Sequence, residues 1–148
     1  MSDLDRIDPM SIGSKGLVFV GDMLLVHRRT ADARHYPSAI DLPGGGPEPG
    51  ETPFATFKRE VKEEFALDIT RPDIVWARCY TSSQYPDRTA HFPVVKLPAS
   101  AREHIKLSTE STEYMLMPVA DYLALPAAAW PILQQRTRDY LQASKRSK

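Results

Sequence analysis

The chain has one cysteine, no net charge and no long apolar run. Each of these features excludes one class of protein. Cys79 cannot form an internal disulfide, and its place in a strand-like run predicts a buried core thiol in a reducing compartment. The 19 basic residues balance the 19 acidic ones, so composition gives no general attraction to nucleic-acid polymers or acidic membranes. No segment approaches the ~18 consecutive apolar residues of a membrane span. We therefore expect a soluble, cytoplasmic protein.

Internal repeats, linkers and grouped histidines are also missing. The four histidines lie at unrelated positions and do not form a metal-binding set. A chain of 148 residues, 42% of them hydrophobic, is the size of one domain and can bury roughly 70% of its unfolded surface. We expect a loose leader over residues 1–14, one domain over 15–143 and a basic tail over 144–148, in a monomer or a homodimer.

Strand-like and helix-like segments are distributed along the whole chain. The turn Gly21-Asp22 between two apolar runs predicts a β-hairpin over 16–28. Residues 30–39 are polar and contain Pro37, which indicates a loop. Further strands are expected at 40–42, 76–82, 91–97 and 113–117, and helices at 53–65, 118–125 and 131–143.

The segment GGPEPGETPFATFKREVKEE, residues 45–64, contains an unusual group of acids. At 3.6 residues per turn, Glu60, Glu63 and Glu64 lie on one helical face within roughly 100° of arc. Like charges at this spacing destabilise a helix, and these acids lie in the half where the helix dipole favours cations. A bound divalent cation would remove both penalties, because carboxylates are preferred ligands of Mg²⁺. The alternative is a solvated acidic face.

The rest of this helix is built to pack. Thr52 is a plausible N-cap, and Pro53 suits the first helical position, where its missing N–H costs nothing. Arg59 can pair with Glu63 four residues later or reach back to Glu51, and either contact would orient a carboxylate. An apolar stripe runs beside the acidic face and consists of Phe54, Phe57, Val61 and Phe65.

These residues resemble the Nudix box, G-x5-E-x7-R-E-U-x-E-E-x-G-U, where U is an aliphatic residue. Ala66 stands where the family has glycine, at a point where a left-handed backbone would cost alanine roughly 1 kcal/mol more than glycine. The matching positions in this chain are Gly45, Glu51, Arg59, Glu60, Val61, Glu63, Glu64 and Leu67.

The resemblance extends toward the MutT-type nucleoside triphosphate pyrophosphohydrolases. The run LLVHRRTADARH, residues 24–35, looks like the second strand and following loop of that group, and YPDR, residues 85–88, looks like its later hairpin. The resemblance implies an α/β fold, a single-domain Nudix-type α/β/α sandwich around a mixed sheet. It also implies Mg²⁺-dependent hydrolysis, with Mn²⁺ possible, of a nucleoside triphosphate to the monophosphate and pyrophosphate.

The resemblance also assigns the metal site. Glu60 and Glu64 are the expected ligands, Glu63 is a ligand or a water-orienting base, and the Gly44 carbonyl is a further contact. A later carboxylate is expected from Glu110, with Glu113 as the second choice. The implied catalytic residues are Glu60, Glu63 and Arg59, and Gly45 and Glu51 are implied as structural positions of the box.

Substrate contacts are assigned on the same basis. Arg29 would touch a phosphate or the base of the nucleotide, Arg88 would lie beside the base, and Leu42 would line the base pocket. Ala129 stands where the guanine-selective enzymes place an asparagine, so no guanine preference is expected. Trp130 could stack on a base, but a tryptophan at the start of an apolar helix is more often a core residue.

Two alternative functions remain open on the sequence. One is hydrolysis of a nucleoside diphosphate linked to a sugar or of a dinucleoside polyphosphate. The other is a nucleotide-binding Nudix module without catalysis. Such modules typically lose carboxylates of the box, whereas this chain keeps Glu51, Glu60, Glu63 and Glu64.

Overall fold

The strands of residues 2–146, the part of the chain that this computed structural model describes, form one mixed sheet. The strands are β1 (Ser11–Lys15), β2 (Leu17–Val20), β3 (Met23–Arg29), β4 (Ile40–Asp41), β5 (Gly44–Gly45), β6 (Ile74–Thr81), β7 (Thr89–Leu97) and β8 (Ser111–Met117). The α-helices are α1 (Pro53–Phe65), α2 (Val119–Leu123) and α3 (Ile132–Arg146).

The centre of the sheet is β7. β6 pairs with it antiparallel, whereas β1 and β2 lie end to end and run parallel to it. The far side of β1 pairs with β5, and β2 continues through the predicted hairpin into β3. β3 in turn pairs with β4 and β8. The predicted hairpin and mixed sheet are therefore confirmed.

Helices cover the two faces of the sheet. Alternate residues of β2 point to opposite faces, so that Phe19 packs under α3 while Val18 packs under α1. The first layer buries Tyr140 of α3, and the second buries Phe57 of α1. This arrangement is the expected α/β/α sandwich.

Helix α1 starts and ends where its sequence predicts. The Thr52 side chain accepts a hydrogen bond from the Ala55 N–H at 3.1 Å, and Pro53 is the first helical residue. Ala66 ends the helix in the left-handed conformation with φ of 61°. The chain therefore keeps the left-handed cap although it lacks the glycine that favours it.

The leader expected over residues 1–14 is not loose in the residues that the structure describes. Residues Ser2–Asp5 form a 3₁₀-helix, and Leu4 is fully buried in the layer under α1. Asp8 accepts hydrogen bonds from Thr89 and His91 of β7, and β1 is part of the sheet. The prediction was wrong because these anchors join residues distant in sequence; Met1 lies outside the described residues.

The C-terminal end also differs from the prediction. Helix α3 continues through Arg146, so residues 144–146 of the expected basic tail are helical, while residues 147–148 lie outside the described range. Cys79 is only partly buried, which corrects the expected core thiol. Within residues 2–146, none of the helices combines the length and apolar character that crossing a membrane requires.

Candidate active site on helix α1

Two glutamates of α1 contact the short glycine strand β5, and a third lies at the surface beside them. Glu64 Oε1 accepts a hydrogen bond from the Gly44 N–H at 2.9 Å. The Glu60 carboxylate lies against Gly45, whereas the side chain of Glu63 is 56% exposed. The helical spacing thus places three carboxylates along one face, as predicted, in three different environments.

Glu64 is the most deeply buried of the three acids. Burial is the main cause that raises its pKa to about 8, and the nearby acids Glu60 and Asp41 raise it further. Its nearest ionisable partner is His27, with Nε2 3.8 Å from Glu64 Oε2. Burial lowers the pKa of His27 to about 4, so this imidazole is neutral at pH 7 and supplies no positive charge. The charge of Lys15 and the Gly44 N–H lower the pKa of Glu64 in part, but no lysine or arginine pairs with this carboxylate among the described residues.

Glu60 is half buried beside the guanidinium of Arg59. Burial raises the pKa of Glu60 above its usual value, the hydrogen bond from Arg59 opposes this rise, and the charges of Glu63 and Glu110 add to it. The hydrogen bond from Arg59 Nη1 to Glu60 Oε1 measures 2.9 Å. The carboxylate is consequently oriented but not fully neutralised.

Arg59 connects the carboxylates of the site. It donates to both carboxylate oxygens of Glu51, at 2.8 and 3.1 Å, and to Glu63 at 3.2 Å, so both pairings considered from the sequence are present. Its Nη2 also donates to the Gly46 carbonyl at 2.8 Å. These carboxylates raise the pKa of Arg59 above its ordinary range, and Arg59 lowers the pKa of Glu51. Glu51 and Arg59 thus tie the glycine loop to α1.

The donor set fits a divalent cation. A single arginine is shared by Glu51, Glu60 and Glu63, and Glu64 has no lysine or arginine within ion-pair distance in residues 2–146. Excess carboxylate oxygens of this kind suit a hard ion such as Mg²⁺.

The structure also separates the two candidates for an extra carboxylate. Glu110 is close enough to act electrostatically on Glu60. Glu113 is instead paired with Arg28 across β3 and β8, at 2.6 Å.

A cavity of about 230 Å³ lies next to the carboxylates of α1. Gly45 forms part of its wall and also contacts Glu60, so the two features are continuous. Side chains from β1, β3, β7, the β6–β7 connection, α3 and the segment before α3 close the cavity. They include Ser14, Lys15, Arg29, Gln84, His91, Trp130 and Arg136.

An ion-pair network at the cavity was not foreseen from the sequence. Asp41 is fully buried and pairs with Lys15 at 2.5 Å and with Arg29 at 2.9 Å. A buried carboxylate held by two basic residues fixes both cations in the wall. A charged residue inside the apolar strand run at 40–42 is the one sequence signal that could have pointed to it.

The substrate residues expected from the sequence are only partly brought together. Arg29 lines the cavity, whereas Leu42 is fully buried in the core and does not. Arg88 donates to the carbonyls of Met10 and Ser11 and is also absent from the cavity wall. Strand pairing places Leu42 in the core, and Arg88 is hydrogen-bonded to the N-terminal segment, so the contacts of these two residues with substrate stay predictions.

The sequence favoured a core role for Trp130 over stacking on a base. The indole lines the cavity while also packing against the core layer under α3. It lies edge-on to Tyr36, with ring centroids 4.8 Å apart, and its backbone has φ of 53°. A strained conformation for a bulky residue indicates that the surroundings hold the ring in place.

Comparison with known proteins agrees with this geometry. The NUDIX domain model matches residues 15–139. Solved structures of similar fold include a MutT protein from Methanosarcina mazei Go1, with 21% identity, TM-score 0.65, and coverage of 91% of this chain and 98% of that one. An Ap4A hydrolase binary complex from C. elegans has 17% identity, TM-score 0.63, and coverage of 88% and 98%.

A third structure is a bifunctional NMN adenylyltransferase/ADP ribose pyrophosphatase from Francisella tularensis complexed with AMP and an Mn ion. It has 16% identity and TM-score 0.69, with 93% of this chain and 43% of that one covered. A sequence search of curated proteins finds no significant match. The match to the NUDIX domain model and the acidic face of α1 together define a hydrolase of phosphoanhydride bonds. The chain belongs to the Nudix family.

Proposed function

We propose that the protein is a Mg²⁺-dependent pyrophosphohydrolase that converts a nucleoside triphosphate to the monophosphate and pyrophosphate. The observation that supports this most is the continuity, at Gly45, between the carboxylates of α1 and the cavity. A polyphosphate can lie over the acidic helix while its nucleoside enters the cavity. The fold shared with the protein named MutT agrees with this assignment.

Each carboxylate has a distinct role in the proposal. Glu60, Glu63 and Glu64 would hold Mg²⁺ or Mn²⁺, with Glu110 as an additional carboxylate and the Gly44 carbonyl as a predicted contact. When bound, the ion neutralises phosphate charge and lowers the pKa of a coordinated water. Glu51 acts through Arg59, whose hydrogen bonds hold the side chains of Glu60 and Glu63.

Proton transfer is assigned to the glutamates at the surface of the cluster. Glu60 or Glu63 accepts the proton of the attacking water as its oxygen bonds to phosphorus, and the phosphoanhydride bond breaks toward the leaving phosphate. Glu63 is the more exposed of the two and can pass the proton to solvent. Arg29, fixed by Asp41 in the cavity wall, would contact a phosphate or the base.

A second candidate function is hydrolysis of a nucleoside diphosphate-sugar or a dinucleoside polyphosphate. The solved structures of similar fold include proteins named as an Ap4A hydrolase and an ADP ribose pyrophosphatase. Release of a phosphosugar or of a second nucleotide, instead of pyrophosphate, would favour this reading. A non-catalytic module is disfavoured by the complete set of box carboxylates in this chain.

A substrate panel tests the proposal. The products are identified for normal and oxidised nucleoside triphosphates, which should release pyrophosphate, and for nucleoside diphosphate-sugars and dinucleoside polyphosphates, with Mg²⁺, with Mn²⁺ and with a chelator. Glu60→Gln and Glu64→Gln are expected to lower kcat by orders of magnitude while circular dichroism shows an unchanged fold. Glu103→Gln, at an exposed position of the 3₁₀-helix Ala99–His104, is the matched control. Near-normal rates in both site variants would overturn the assigned roles.

A further inference from the structure

Three basic side chains line the cavity, and one of them has no acidic partner. Lys15 and Arg29 share the buried carboxylate of Asp41. Arg136 of α3 is only 6% exposed, and no ion pair involving it occurs within residues 2–146. Its Nε has no hydrogen-bond partner there. Nε of this buried guanidinium is therefore a donor without a partner among the described residues.

The surroundings hold Arg136 in place without neutralising it. Its guanidinium carbon lies 4.6 Å from the ring centroid of Tyr80, and Nη2 makes only a long contact of 3.5 Å with the Thr81 carbonyl. Asp139, the acid one turn along α3, instead accepts a hydrogen bond from the Tyr80 hydroxyl at 2.8 Å. Burial lowers the pKa of Arg136, and the charge of nearby Asp139 opposes this only in part. A ligand with acceptor atoms would remove this cost.

Sheet register places Arg136 and the carboxylates at opposite ends of the cavity. Cys79, His91, Ser14 and Gly45 form one row across β6, β7, β1 and β5. Three steps between adjacent strands span roughly 14 Å. Arg136 lies over the β6 end of the row, and Glu60 lies at the β5 end. A nucleotide whose phosphates are at Glu60 can therefore extend its base toward Arg136.

We propose that Arg136 recognises the oxo edge of the nucleobase, so that the enzyme selects nucleotides with a keto group over those with an amino group at the same ring position. This inference rests on the proposed hydrolysis of nucleotides. A guanidinium only donates hydrogen bonds. Guanine presents the acceptors O6 and N7, and thymine presents O4, whereas adenine and cytosine present an amino donor at that position.

The remaining polar groups of the cavity include no carboxylate, but His91 Nδ1 is buried there without a hydrogen-bond partner among the described residues and can accept from an amino group. None of the described residues that line the cavity is acidic, so no carboxylate there can accept from an amino group. Gln84 can donate or accept and discriminates little. Ala129, at the expected position of a guanine-reading asparagine, is buried, and its N–H donates to the Ile40 carbonyl. Arg136 supplies a donor to the cavity that Ala129 cannot provide.

Matched nucleotide pairs test the selection. We expect kcat/KM for dITP to exceed that for dATP by roughly tenfold or more, with the same direction for dTTP over dCTP. Hypoxanthine differs from adenine chiefly at the 6-position, so this pair isolates the keto group. Arg136→Met should reduce both ratios to near one, and Arg136→Lys, which keeps a donor, should retain part of them. Arg138→Met, at an exposed position of the same helix, should leave them unchanged.

Binding without catalysis separates this inference from the proposed reaction. Calorimetric titration of the metal-free protein with dIMP and dAMP should show tighter binding of dIMP to the wild-type protein and equal binding to the Arg136→Met variant. That result would support base reading by Arg136 even if no triphosphate is hydrolysed. Equal binding of dIMP and dAMP to the wild-type protein, or ratios that persist in both Arg136 variants, would overturn it.

Discussion

The Glu60 carboxylate lies directly against Gly45, so closely that a β-carbon added to this glycine would be 2.6 Å from the carboxyl carbon. Gly45→Ala should therefore displace Glu60 and lower kcat by about tenfold or more, since small misplacements of a catalytic group are costly. The thermal midpoint should change little, because the Glu60 side chain can move. Gly46→Ala is the matched control, because its β-carbon would meet only the Ile12 carbonyl oxygen, at 3.7 Å. Equal rates for the two variants would contradict the argument.

Arg59 should be irreplaceable by lysine. It donates to both oxygens of Glu51 and simultaneously to Glu60, and an ammonium group cannot reproduce this planar, bidentate geometry. We expect Arg59→Lys to lower kcat on the order of 10- to 100-fold with KM nearly unchanged. Lys62→Arg, at an exposed position of the same helix, is the control. A wild-type kcat for Arg59→Lys would show that positive charge alone is sufficient.

The contribution of Glu64 to the stability of the metal-free protein should fall as the pH rises. Glu64 stays protonated in the folded state up to a pKa of about 8, whereas in the unfolded chain it ionises near its ordinary pKa of 4.5. The unfolded state therefore releases this proton first, and the contribution of Glu64 to the unfolding free energy decreases between these pH values by up to about 5 kcal/mol. Below about pH 6.5 the neutral His27 has the opposite effect, because the unfolded imidazole binds a proton that the folded one does not, so the net fall is expected between about pH 6.5 and 8. Urea unfolding in a chelator measures the slope.

Two comparisons assign this slope to Glu64. Glu64→Gln should remove the part of the pH dependence of the unfolding free energy that is due to Glu64, because the amide does not titrate. Mg²⁺ at pH 8 should stabilise the wild-type protein, because an ion that binds the folded state favours the ionised carboxylate. If the wild-type and Glu64→Gln proteins show the same pH dependence, burial of this acid does not control stability.

Glu110 and Glu113 should differ sharply on substitution. Glu110 acts electrostatically on Glu60, so Glu110→Ala should weaken Mg²⁺ activation by about tenfold or more. Glu113 pairs with Arg28 at the surface, and Glu113→Ala should change the unfolding free energy by less than about 1 kcal/mol and leave activation intact. Titration of activity with Mg²⁺ distinguishes the two variants. The reverse order of effects would make Glu113 the additional carboxylate.

Trp130 should contribute to substrate affinity. Stacking of a base on an aromatic side chain is worth about 1–3 kcal/mol, so Trp130→Ala should raise KM by roughly tenfold with a smaller effect on kcat. Trp130→Phe keeps a ring that can stack and should have an intermediate KM. Thermal unfolding of both variants measures the separate loss of packing against Tyr36 and the core. An unchanged KM in Trp130→Ala would limit this residue to a structural role.

Features with local causes were predictable from the sequence. The bounds of α1 follow from Thr52 and Pro53 at its start, and its acidic and apolar faces follow from helical periodicity. The hairpin between β2 and β3 follows from its turn. The pairing of Arg59 with Glu51 and Glu63 was also within reach, because these residues lie on or next to one helix.

Features that depend on distant pairing were not predictable in the same way. Asp41 meets Lys15, which is 26 residues away, and Arg88 meets Met10, which is 78 residues away. Leu42 was assigned to the base pocket by resemblance, whereas it is fully buried in the core, because the cover of each face of a strand depends on helices distant in sequence. The order in residues 2–14 likewise depends on tertiary packing of Leu4 and Asp8.

The row of strands from β5 to β6 also bears on how this enzyme could diversify. The groups proposed for chemistry are on α1, whereas Arg136 and Trp130 are on or beside α3, at the other side of the sheet. The two regions meet at the wall formed by Gly45 and Gly46. Substitutions along α3 can therefore retune which nucleotide is accepted without disturbing bond cleavage, so a new specificity could evolve, or be engineered, from changes in a single helix.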